Sequence, residues 1–149
     1  PVTREAATRR PRRFAGEAPL ASLATTEDVL EGLTRGDIVL IDARAPDRFA
    51  GRNETLDPVA GHIPGARNHP YARNLDAAGR FLAPAELRDR WNETRAGAAP
   101  ERVVSMCGSG VTACHNLLAM QLAGLPGARL YAGSFSEWIR DPSRPVASG

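Results

Sequence analysis

Cys107 stands in "VVSMCGSGVTACHN" (residues 103–116), where an apolar run ends, two glycines follow within three residues, and an apolar helical pattern begins at once. A thiol at such a junction is placed for nucleophilic chemistry. Gly108 and Gly110 permit positive φ and let backbone N–H groups turn inward as an anion-binding nest. The dipole of the following helix adds positive potential. These surroundings depress a thiol pKa and favour the thiolate, the nucleophilic form. The plainer reading is a small buried residue that merely ends a strand. The two glycines and the hydroxyls of Ser109 and Thr112 favour the reactive one.

Two thiol chemistries use this arrangement. In a Cys-x5-Arg phosphatase loop an arginine clamps the phosphate, but the corresponding position holds Ala113, which argues against phosphoryl transfer. In sulfur transfer a thiolate attacks a sulfane sulfur, holds it as a persulfide and passes it to an acceptor thiol or cyanide. The nest then stabilises charge on the terminal sulfur. Cys107, Cys114 and His115 lack zinc-ligand spacing, so neither a metal nor another cofactor is expected. Cys114 is expected to be a packed small hydrophobe in the helix, carried too far from Cys107 for a disulfide. His62, in "AGHIPG", is expected to tie down its own loop; His69 and His115 have no assigned role.

The elements that must hold this thiol alternate along the chain. "TTEDVLEGL" opens on Thr25 as N-cap with Asp28 three residues on, a capping-box pattern. "DIVLIDA" (37–43), "RVVSMC" and "ARLYAG" read as buried strands, and "ARNHPY" as a further short one. "PDRF" opens a short helical turn, while residues 51–66 are too rich in Gly and Pro for regular structure. "APAELRDRWNE" (83–93) is helical, with Leu87 and Trp91 on one face. "VTACHNLLAMQLAGL" is helical through its leucines and closes at Gly127, and "SFSEWIRD" is a last helix stopped by Pro142. The alternation predicts an α/β fold with a mainly parallel central sheet flanked by helices on both faces.

With 149 residues, 42% of them hydrophobic, the chain suffices for one domain with its own core. No run approaches the ~18 apolar residues of a membrane span. Two cysteines make no disulfide framework, so a cytoplasmic setting with reduced thiols is expected, with no membrane and no nucleic-acid partner. The formal charge is +2, and all 19 basic residues are Arg. Arg4, Arg9, Arg10, Arg12 and Arg13 crowd one end. A nucleic-acid arm is one reading of this cluster; without interleaved aromatics, a solvated linker over residues 1–19 is favoured, followed by a domain over 20–149.

"CGSGVTAC", "DARAPDRF", "DPVAGHIPGA" and "GSFSEWIRDPSRPV", in that order, resemble the rhodanese superfamily. More closely they are similar to the catalytic C-terminal domain of tandem-domain thiosulfate and 3-mercaptopyruvate sulfurtransferases. The resemblance spans about residues 20 to 147 and implies a rhodanese-like domain. It implies that Cys107 bears the persulfide, that Gly108, Ser109, Gly110, Val111 and Thr112 cradle it, and that Ser109 relays a proton. Arg48 matches an arginine that binds the donor's anionic end. The CGSGVT loop looks like the mercaptopyruvate type, because thiosulfate-type loops usually carry Arg-Lys after the cysteine and this chain has Gly108 and Ser109. A second substrate-binding arginine found before "GHIPG" in animal relatives has no match in "NETLDPVA", although Arg52 is near enough to substitute. Asp42 and Arg44 look like the family's structural ion pair.

The partners so implied are a small anionic sulfur donor, a thiol or cyanide acceptor, and an N-terminal rhodanese-like domain absent from this chain. In the tandem family that domain packs over the site and supplies an Asp. Three function classes stand: a sulfurtransferase using mercaptopyruvate or thiosulfate, a partner-dependent persulfide carrier, and a non-catalytic anion-binding or interaction module. The intact Cys107 argues against the last.

Overall fold

A computed structural model describes residues 10–13 and 22–149; most of the basic arm expected over residues 1–19 lies outside the described residues. Five short strands form the sheet: β1 (Leu23–Ala24), β2 (Val39–Asp42), β3 (Arg67–Asn68), β4 (Val103–Met106) and β5 (Arg129–Tyr131). All pair in parallel, in the order β1-β5-β4-β2-β3. At its centre β2 lies beside β4, with Val39 opposite Val103 and Asp42 opposite Met106.

Among the described residues, five α-helices, α1 (Thr26–Arg35), α2 (Pro46–Phe49), α3 (Pro84–Arg95), α4 (Val111–Leu122) and α5 (Ser134–Trp138), accompany the sheet, with short 3-10 turns at Tyr71–Asn74 and Pro100–Arg102. Period-two alternation along the central strands sends side chains to opposite faces. Leu40, Val104 and Met106 pack with Val29 of α1 and with Phe135 and Trp138 of α5. Ile41 and Val103 pack with Leu87 and Trp91 of α3 and with Ala119 and Met120 of α4. Each large side chain buried this way contributes ~1.5–3 kcal/mol of transfer free energy. The sheet is thus covered on both faces, as the alternating pattern predicts.

Local chemistry sets the helix ends. Thr25 Oγ1 accepts from the Asp28 N–H at 3.2 Å, and the Asp28 carboxylate accepts from the Thr25 N–H at 3.0 Å, the capping box read in the sequence. Some limits differ from expectation. Helix α4 stops at Leu122, because Gly124 takes the left-handed conformation (φ +70°) before Pro126 and Gly127 are reached. Helix α5 stops at Trp138, short of Pro142. Strand β1 is only two residues long and leaves no readable alternation.

This topology fixes where a site can form. From β2 the chain moves outward to β3, and from β4 it moves the other way to β5. The connections therefore diverge at the carboxyl ends of β2 and β4, the crevice where open α/β sheets bind ligands. The residues that follow these strands are Ala43–Arg44 and Cys107.

Candidate active site

A cleft of about 380 Å³ opens at that crevice. Cys107, Gly108, Ser109, Val111 and Thr112 line one side of it. Arg48 of α2 and Leu56 and Asp57 of the irregular loop line another, with Tyr71 and Ser136 completing the walls. Six of the seven site residues expected from the sequence therefore converge here. Gly110 does not line the cleft; it makes the turn. Its φ is +83°, and a Cβ on it would lie 2.6 Å from the Ala132 carbonyl oxygen, so only glycine fits. Gly108 differs from expectation: its φ is not positive, and an added Cβ would find only ordinary contacts with Arg48 and Asp57.

Cys107 is held from behind by α5. Its N–H donates to Ser134 Oγ at 3.1 Å, and that hydroxyl donates to the Tyr131 carbonyl at 2.8 Å. Ser134 takes a positive φ of 54°, rare for a residue with a Cβ, and these two bonds accompany it. The Cys107 and Gly108 carbonyls accept from the N–H groups of Phe135 (3.1 Å) and Ser136 (2.9 Å). Cys107 is 3% exposed. Burial alone pushes it up, but the Thr112 hydroxyl and backbone hydrogen bonds from Ala113, Ser109 and Thr112 together hold it below the ordinary thiol value. A nest that holds a thiol below its ordinary value favours the thiolate, the nucleophilic form.

Arg48 does not stand free in the cleft. Arg48 Nε and Nη2 donate to the Glu54 carboxylate at 3.0 and 2.8 Å, and Nη2 also reaches Asp57 Oδ2 at 3.3 Å. Ser136 Oγ donates to the other Asp57 oxygen at 2.7 Å. Glu54, nearly buried, also accepts from the N–H groups of Leu56 and Asp57. Burial raises its pKa, but those bonds and Arg48 outweigh it and hold the carboxyl below its ordinary value. Arg44 pairs with Asp42 at 2.7 Å, both side chains buried, and donates to the Gly61 carbonyl while lying 4.1 Å from the Phe135 ring centroid. This matches the structural ion pair expected of Asp42 and Arg44. Arg52 is exposed and does not line the cleft, so it does not replace a second substrate-binding arginine.

The family model for the Rhodanese-like domain matches residues 25–141. The chain belongs to the rhodanese family. This rhodanese domain is 49% identical over 140 residues to a probable 3-mercaptopyruvate sulfurtransferase of Pseudomonas aeruginosa, covering 94% of this chain and 49% of that protein. It is 36% identical over 154 residues to a thiosulfate sulfurtransferase of Mus musculus, covering 100% of this chain and 52% of the relative. The chain spans about half the length of the curated relatives it matches. Among solved structures, the Tum1 protein of Saccharomyces cerevisiae matches with a TM-score of 0.72 and 26% identity, over 86% of this chain and 47% of that one.

Elsewhere in the rhodanese domain the histidines are structural. His62 Nδ1 lies 2.8 Å from the Phe49 carbonyl, its ring stacks on Phe49, and its backbone pairs with Ala147, so it ties down its own loop. His69 is buried against Trp91. His115 stacks on Phe81 and meets Tyr71 edge-on. Cys114 corrects the sequence reading: it is exposed on α4 rather than packed, because Ala113, Asn116, Ala119 and Met120 take the buried face. The described residues contain no cluster of three His, Cys, Asp or Glu able to hold a metal, and no helix long and apolar enough to cross a membrane. Glu54, Asp57, Ser134 and Ser136 were missed as site residues. They lie in or beside the "DPVAGHIPGA" and "GSFSEW" stretches, which carry the family resemblance, and that is the signal that could have found them.

Proposed function

We propose that this domain, spanning residues 20–149, is the catalytic unit of a cytoplasmic sulfurtransferase that takes sulfur from 3-mercaptopyruvate or thiosulfate through a Cys107 persulfide. The observation that carries the reading is a thiol in a cleft, held below its ordinary pKa by the Thr112 hydroxyl and three backbone bonds despite burial. The Cys107 thiolate attacks the transferable sulfur and forms an S–S bond. With mercaptopyruvate the C–S bond breaks and pyruvate leaves as its enolate, which takes up a proton; with thiosulfate the S–S bond breaks and sulfite leaves. An acceptor thiolate or cyanide then attacks the outer sulfur and restores the Cys107 thiolate. Ser109 relays the proton, and Arg48 steers the donor's anionic end.

The relatives named above as sulfurtransferases support this reading, and their greater length supports a second rhodanese-like domain that closes the cleft. One observation favours the persulfide-carrier reading alongside it: Leu56, Val111 and Tyr71 at the cleft are 77%, 72% and 41% exposed, an apolar rim that suits a protein partner. Turnover with each donor alone, using cyanide as acceptor, separates the two. A sulfurtransferase turns over and prefers mercaptopyruvate in kcat/KM; a carrier forms thiocyanate only when a donor protein is added. Replacing Gly108→Arg and Ser109→Lys together should move the donor ratio toward thiosulfate by roughly 1–3 kcal/mol, the scale of a charge-assisted hydrogen bond.

A further inference from the structure

We propose that Asp57 is a specificity-determining residue: its carboxylate sets a penalty on each negative charge that a sulfur donor brings into the cleft, and so favours monoanionic over dianionic donors. The proposal rests on the sulfurtransferase reading. Its starting point is a charge imbalance. Two guanidiniums, Arg44 and Arg48, face three carboxylates, Asp42, Glu54 and Asp57, at 2.7 to 3.4 Å. Asp42 and Glu54 already neutralise both arginines. Asp57 is the surplus charge, and it is the one of the three that lines the cleft with Cys107.

Asp57 is not a solvated side chain that swings away freely. It is 9% exposed, and it is clamped between Arg48 Nη2 at 3.3 Å and the Ser136 hydroxyl at 2.7 Å. Its Oδ2 lies 3.9 Å from where a Cβ on Gly108 would stand, directly beside the loop that carries the thiolate. Arg48 Nη1 is 3.9 Å from the same point and has no hydrogen-bond partner among the described residues, so a donor can still be steered by that edge. The donor therefore enters between an attracting edge and a fixed repelling carboxylate, in partly desolvated surroundings where Coulomb terms are large. Energy in a fixed potential is proportional to charge. The Asp57 penalty doubles between a monoanion and a dianion, which gives the proposal a signature that loss of packing does not share.

The test measures protection of Cys107 from iodoacetamide by two unreactive anions at constant ionic strength: pyruvate, with one charge, and sulfate, with two. The half-protection concentration does not depend on the intrinsic alkylation rate. In the unmodified chain pyruvate should protect at lower concentration than sulfate; the reverse order, or no protection by either, overturns the proposal. Asp57→Asn retains an oxygen to accept from Ser136 but removes the charge. It should lower the pyruvate value about threefold and the sulfate value about tenfold, and Asp57→Ala should shift both in the same direction. Glu86→Gln removes an exposed carboxylate of α3 that does not line the cleft and should leave the pyruvate-to-sulfate ratio unaltered. An Asp57→Asn ratio equal to that of the unmodified chain, or the full Asp57→Asn pattern in Glu86→Gln, contradicts a charge penalty set at Asp57. Failure of the sulfurtransferase reading would look different: the protection pattern would hold while Cys107 took up no cyanolysable sulfur from either donor.

Discussion

Cys107 and Cys114 sit in one helix–loop unit yet live in opposite surroundings. Cys107 is 3% exposed at the floor of a nest, with its thiol shifted down, while Cys114 is exposed on α4. At mildly acidic pH, limiting iodoacetamide should therefore modify Cys107 faster than Cys114, despite the better access to Cys114. Peptide mapping of the alkylated chain gives the order, and faster reaction at Cys114 would mean that the nest does not stabilise a thiolate. Cys114→Ser should alter stability by no more than about 0.5 kcal/mol in urea unfolding, as for most exposed positions. At this scale the sequence was informative wherever chemistry is confined to one loop: Cys107, Ser109 and Thr112 are near neighbours, so their convergence needed no knowledge of the fold. Asp57 was not legible. A carboxylate in an irregular Gly/Pro-rich segment joins the cleft only once that loop folds back and Ser136, 79 positions away, clamps it.

The β4–α4 connection works as a unit because Gly110 lets the chain turn with φ +83° under the Ala132 carbonyl. Gly110→Ala adds left-handed strain and a 2.6 Å approach to backbone, so it should cost about 2 kcal/mol or more in urea unfolding and slow Cys107 alkylation together. An unchanged midpoint would place the turn's tolerance elsewhere. Behind α4 lies a second unit. Trp91 Nε1 donates to Asn74 Oδ1, which can only accept; His69 Nε2 therefore donates to that same oxygen at 3.1 Å, and His69 Nδ1 lies 2.6 Å from the Thr94 hydroxyl, which also reaches the Arg90 carbonyl at 3.0 Å. Asn74 also donates to Asn116 of α4 at 2.7 Å, joining α3, the Tyr71–Asn74 turn and α4. Burial is the main reason that the His69 pKa falls to about 4. The folded state keeps this ring neutral, whereas the unfolded chain protonates it near pH 6.5. Its contribution is complete above that value and is lost as pH falls from 6.5 toward 4, on the order of 3 kcal/mol. Urea titrations across that window should show a steeper loss for the unmodified chain than for His69→Gln; parallel curves would show that His69 does not drive it. The α4 face explains why helix packing was only half readable. Leu118 and Leu122 look like a core stripe in sequence but are 48% and 43% exposed, because the close approach to the sheet is made by Ala113, Ala119 and Ala123. Small residues give weak hydrophobic signals.

For the molecule as a whole, the fold was legible because strands and helices alternate strongly along the chain, and a parallel sheet with its site at the β2/β4 divergence follows from that. If a second rhodanese-like domain excludes water from the thiolate, every electrostatic contact in the cleft strengthens. Adding such a domain, covalently or in trans, should then raise kcat/KM for mercaptopyruvate well above that of the 149-residue chain. Equal values would show that this domain holds the whole site. Sulfur transfer through Cys107 is tested most directly without turnover, by incubating the chain with mercaptopyruvate or thiosulfate, removing the donor and measuring intact mass and cyanolysable sulfur. A persulfide mechanism requires a chain one sulfur atom heavier, the extra sulfur mapped to Cys107 and released by cyanide as thiocyanate, and none of it in a folded Cys107→Ser variant. Cyanolysable sulfur that persists in Cys107→Ser, or a chain that gains none from either donor, contradicts it.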